Sequence, residues 1–174
     1  MNDVPAGNLA PAARLLGRLL VRELDVATVD ELAQPAVAAA LAELDIAVPP
    51  RSDLDALAAA YFAHFVRPAA GLPPVQSLWL HGQYDGDAAQ AVRAIADAGA
   101  HELATGARGA PPDHLGCILL LWADLVEDRP DLAARLQRDH LAWGERALSA
   151  VGSEAGFYGS VARAAALLLR ELAV

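Results

Sequence analysis

The segment from Leu115 to Val126 is apolar on almost every side of a helix: Leu115, Ile118, Leu119, Leu120, Leu121, Trp122, Leu125 and Val126 leave no polar face. A helix of this kind is stable only when other elements surround it. It is too short to cross a bilayer, because its strongest apolar run, Cys117 to Ala123, meets Asp124 far short of the roughly 20 residues a span needs. Pro111-Pro112 and Pro130 bracket it, since proline cannot continue a preceding helix. The rest of the chain must wrap this segment. With 41 alanines and 28 leucines among 174 residues, and aromatics at 5%, the wrapping elements are predicted to be helices. The expected fold is all-α, a single-domain helical bundle over residues 1–174 with about seven to nine helices.

Periodicity places a first helix over roughly Leu9 to Leu24, and Thr28 with Glu31 has the spacing of a capping box opening a second. That second helix is expected to run to about Leu44, with Pro35 near its first turns. Val48-Pro49-Pro50 stops it, and Ser52 or Asp53 is positioned to cap a third helix. There Leu54, Leu57, Ala58, Tyr61, Phe62 and Phe65 recur at helical spacing. A proline loop follows over 67–74, then a short turn at Ser77 to His81 and a helix from Asp85 or Asp87 to about Ala98. Gly106 to Pro112 reads as a hinge-like loop. Asp113 stands at the natural N-cap of the apolar helix, and two further helices are expected over Pro130 to Val151 and Gly156 to Leu172.

The residue inventory excludes several activities. No lysine is present, so no Gly-Lys-Ser/Thr phosphate loop, Schiff-base lysine or Ser-Lys dyad can exist. The single Cys117 permits no internal disulfide and no multi-cysteine metal site. His101 with Glu102 and Asp113 with His114 are adjacent in sequence, so on a helix each pair diverges by about a third of a turn, and His140 falls on the apolar stripe Leu132, Leu136, His140, Trp143. No metal and no cofactor is expected. A net charge of −9 disfavours nucleic acid and favours basic partners. The opening Met-Asn-Asp lacks the basic start of an export signal, and the lone thiol suits a reducing compartment, so a cytoplasmic location without stable membrane insertion is expected.

Two patches carry more information. One is Tyr61-Phe62-Ala63-His64-Phe65 followed by Leu72-Pro73-Pro74-Val75-Gln76-Ser77-Leu78-Trp79; the other is Pro111-Pro112-Asp113-His114-Leu115-Gly116. The first resembles the Tyr-x-x-x-Phe helix, proline loop and Glu-Ser-x-Tyr/Trp-like turn of the TorD/DmsD/NarJ family. The second resembles that family's Glu-Pro-x-Asp-His hinge. His140-Leu141-Ala142-Trp143 and Phe157-Tyr158 fall where the family has a His-Leu-x-x-Trp stretch and an aromatic pair. Gln76 and Ala110 stand where the family has acids.

The resemblance implies a chaperone, not an enzyme. It would bind the twin-arginine signal peptide or the apo-form of a molybdopterin-containing oxidoreductase, assist cofactor insertion, and hold the client back from export. It implies peptide-binding roles for Asp113, His114, Tyr61, Phe65, Gln76, Ser77, Trp79 and Leu115. Asp113 is expected to serve both as helix cap and as the carboxylate that meets a leader arginine. Monomers or domain-swapped dimers are expected, the swap opening at the 106–112 hinge. The alternative is a helical adaptor or sensor domain that binds a small apolar molecule between helices.

Overall fold

In a computed structural model, which describes residues 9–68, 71–103 and 109–173, the chain forms ten α-helices among the described residues. They are α1 (Ala10–Val21), α2 (Val26–Leu32), α3 (Pro35–Glu43), α4 (Leu54–Tyr61), α5 (Gln76–His81), α6 (Asp87–Gly99), α7 (Leu115–Asp128), α8 (Pro130–His140), α9 (Gly144–Gly152) and α10 (Phe157–Leu172). No strand occurs among the described residues; Val75 and His114 form one isolated antiparallel bridge. The fold is all-α, as expected. Residues 106–108 of the expected hinge, and 69–70 of the proline loop, lie outside the described residues.

The helix count exceeds the expected seven to nine because two expected helices are each divided. Pro35 does not ride inside the second helix but begins a new one at its N1 position, where its missing N–H is harmless. The cap of α2 is Asp25, which accepts from both the backbone N–H and the hydroxyl of Thr28 at 2.7 Å. The capping box expected from Thr28 and Glu31 does not form; Glu31 instead takes both terminal nitrogens of Arg18, at 2.8 and 3.0 Å. Neither Ser52 nor Asp53 makes a side-chain cap for α4, which a single 3-10 turn at Arg51–Asp53 leads in. Gly86, not Asp85 or Asp87, holds the N-cap position of α6, again without a side-chain bond. The helix expected from Pro130 to Val151 breaks over residues 141–143, and α9 starts at a glycine under steric demand: a Cβ on Gly144 would meet Leu115 and Leu169 side chains at 2.8 Å.

The apolar segment, α7, lies at the centre, with ten of its fourteen residues buried. α1 packs along it at backbone distance. A Cβ on Gly17 would stand 2.9 Å from the Gly116 carbonyl oxygen, and one on Gly116 would stand 2.6 Å from that of Gly17. This reciprocal contact cannot be relieved by side-chain rotation, because each clash is with main chain. Gly116→Ala is therefore expected to cost about 2 kcal/mol in urea unfolding despite the better helix propensity of alanine. A midpoint equal to the parent's would show that α1 and α7 can separate freely. α8 and α6 pack on other flanks of α7, and α10 lies against α9, α1 and α4.

α4 ends in a π-helical turn, Phe62–Val66, closed by the Arg67 N–H on the Phe62 carbonyl at 2.8 Å. The turn keeps Phe65 (3% exposed) in the core beside Tyr61 while Phe62, a candidate core residue by periodicity, is 40% exposed. Such insertions are frequent at functional sites.

Candidate functional site

The two patches singled out in the sequence meet in space. The Gln76 N–H donates to the Asp113 carbonyl at 3.0 Å and the Leu115 N–H donates to the Pro74 carbonyl at 2.8 Å, closing the Val75–His114 bridge. Asp113 then adds its side chain: Oδ2 accepts the Ser77 N–H at 2.7 Å. Both residues have no exposed surface. Asp113 Oδ1 and Ser77 Oγ have no hydrogen-bond partner among the described residues.

This geometry corrects the role assigned to Asp113 at the head of α7. Asp113 caps α5 across the bridge. With its carbonyl and carboxylate both committed to α5, the N-cap of α7 moves one residue on, to His114 (φ −68°, ψ 134°), whose Nδ1 accepts the Gly116 N–H at 3.1 Å. An accepting Nδ1 carries no proton, so the neutral ring bears its hydrogen on Nε2. Burial pushes the His114 pKa down to about 4.

On the other side of α5, Gln76 Oε1 faces His140 Nδ1 at 2.8 Å while Gln76 Nε2 donates to the Asp139 carbonyl at 3.2 Å. His140 is the buried, hydrogen-bonded core histidine its stripe predicts, and burial lowers its pKa against the opposing pull of Asp139 and Asp113. Trp79 is half-buried; its Nε1–H donates to the Pro73 carbonyl at 3.0 Å, and the Arg146 guanidinium lies 5.8 Å from its ring centroid.

A cleft of about 180 Å3 opens beside the bridge, lined by Tyr61, Phe65, Val75, Tyr84, Ala110 and His114 among others. Of the nominated residues, Tyr61, Phe65 and His114 line it. Gln76, Ser77, Asp113 and Leu115 are buried outside its lining, and Trp79 lies outside it. The aromatic wall is continuous: Tyr61 stacks at 5.4 Å on Phe65, and both reach Tyr158, at 5.7 and 5.4 Å. Sequence reasoning missed Tyr84, which is 58% exposed at the rim. Its signal was present, an aromatic residue in the polar turn Gly82-Gln83-Tyr84-Asp85-Gly86. Chemically the cleft can hold one bulky apolar side chain. Cys117 is buried and its thiol is pushed up to about 12, chiefly by burial and also by the Asp113 charge, so it is not a nucleophile. Among the described residues no group of three or more His, Cys, Asp and Glu side chains could hold a metal ion.

A family model described as the nitrate reductase delta subunit matches residues 30–151, which include both joined loops and every nominated residue. The chain belongs to that family. Nitrate reductase delta proteins are chaperones of molybdoenzyme maturation, not catalytic enzymes, and they partner with molybdoenzyme catalytic subunits. A search of curated proteins found no match. In this delta-family chain α1 and α10 flank the matched span, and among its described residues no helix is long and apolar enough to cross a membrane.

Proposed function

We propose that this delta-family chain acts in the cytoplasm as a single-domain chaperone that binds the twin-arginine leader of an apo-molybdoenzyme and holds the client until its molybdopterin cofactor is inserted. The carrying observation is the convergence of the Pro73–Trp79 and Pro111–Leu115 segments on one cleft, within a family of maturation chaperones. Tyr61, Phe65 and His114 contact the leader's apolar stretch there. Asp113, Ser77, Gln76 and Leu115 act by holding the two lips in register, and Trp79 by fixing the Pro73 loop through its indole N–H. The acidic balance of −9 raises the encounter rate with an arginine-bearing segment.

Ala110, half-buried in the lining, gives a direct test. In calorimetry with a synthetic twin-arginine leader, Ala110→Trp fills the cleft, and affinity is expected to fall at least about tenfold with an unchanged helical spectrum. A parent protein that takes up no leader sinks the proposal.

The adaptor alternative has one supporting feature, a groove of about 370 Å3 between α1, α2 and α3 with Leu15, Leu19, Leu32 and Val37 in its lining. The Arg18–Glu31 pair, 2.8 Å apart, stands in its lining.

A further inference from the structure

Tyr158 packs against Tyr61 and Phe65 behind the cleft and itself lines a second, larger groove of about 630 Å3. This groove runs between the segment 45–50, α4 and the start of α10, over an apolar floor that includes Val48, Leu57, Ala60 and Phe157. Asp45 and Asp53 stand in its lining, and among the described residues no arginine does. Arg51, the neighbouring base, is engaged elsewhere, its Nε 2.7 Å from Asp30 Oδ1.

Asp45 is exposed at the end of the turn that leaves α3. It follows the C-terminus of α3 with φ +57°, a left-handed conformation that aspartate and asparagine tolerate. Its carboxylate and that of Asp53 give this groove negative charge beside its apolar lining.

We propose that this groove binds the arginine-bearing, apolar part of a peptide, with Asp45 and Asp53 taking the guanidinium groups and the floor taking adjacent apolar side chains. The assignment rests on the leader-binding reading above and places the leader's arginines here, away from the buried Asp113. The π-helical turn links the two openings, since His64 lines the groove while Phe65 and Val66 line the cleft. One extended peptide can thus engage both sides of the aromatic cluster.

The test is an affinity measurement with two synthetic peptides, one with paired arginines before an apolar stretch and one with glutamine at both arginine positions. Asp45→Asn/Asp53→Asn is the variant. Asn suits the left-handed position, and Asp53 makes no capping bond to α4, so the fold is expected to hold. The arginine peptide is expected to lose about tenfold or more in affinity on the double variant, falling to the level of the glutamine peptide, whose own affinity does not change. Equal binding of the arginine peptide by parent and variant overturns the groove and leaves the leader-binding reading standing. An equal loss for both peptides also overturns it, because the effect is then not one of charge. If the parent binds neither peptide, the proposed function itself fails and takes this assignment with it.

Discussion

Lowering the pH from 7 to 4 is expected to remove about 3 kcal/mol of folding stability through His114 alone, from its shift between 6.5 and about 4 at roughly 1.4 kcal/mol per pH unit. The unfolded chain binds the proton at its ordinary pKa of 6.5, whereas the folded chain resists it until about pH 4. Above pH 6.5 the two states carry the same proton count and the stability is fully present. Between 6.5 and 4 the unfolded state holds the extra proton, so stability falls as pH falls. The physical cause is twofold: the ring is buried, and its Nδ1 already accepts the Gly116 N–H. Protonation there would place two donors face to face at the head of the central helix. His140, also lowered by burial, adds loss in the same direction. Urea unfolding across this pH range should show a steeper decline for the parent than for His114→Asn, which keeps a capping oxygen and removes the titration. Equal slopes would mean that the imidazole is not the acid-sensitive group.

Asp113→Ala is expected to cost about 2–3 kcal/mol, because the Ser77 N–H would lose a charged acceptor in a place water cannot reach. Asp113→Asn keeps an oxygen for that N–H and is expected to stay within about 1 kcal/mol of the parent. It is also expected to retain leader affinity, since Asp113 has no exposed surface for an arginine to meet. Denaturant unfolding of the two variants, paired with leader titration, checks both statements. An alanine variant as stable as the parent would show that burying the carboxylate costs as much as its bond returns. A large affinity loss in the asparagine variant would return Asp113 to the binding surface.

The central helix and the last one were readable because their apolar periodicity is long and ends at Pro111-Pro112, Pro130 and Gly156. The division at Pro35 was not, because a proline is equally at home in a first turn and at the head of a new helix. The capping assignments failed for a different reason. Asp113 and His114 are adjacent and both can cap; the choice is made by Pro74, Gln76 and Ser77, which arrive from almost forty residues away. Likewise Glu31 fits a capping box locally but is taken by Arg18 on a neighbouring helix. Residue types at the site were legible and their exposure was not. Gln76, Ser77, Asp113 and Leu115 form a recognisable pattern in sequence, yet packing turns all four inward, while Tyr84, outside the two patches, is left at the rim.

The lips of the cleft are joined where Ser77 and Asp113 meet, 36 positions apart in the chain. The intervening stretch is therefore a closed loop with a narrow neck of two main-chain bonds and one carboxylate. Loop-closure entropy grows only with the logarithm of length, and even a doubling costs about 0.6 kcal/mol. Changes of length within that loop, away from the cleft-lining Gly109 and Ala110, thus carry only a small entropic penalty for the spacing of the lips. The neck, not the length of the loop it closes, sets how far apart the lips stand.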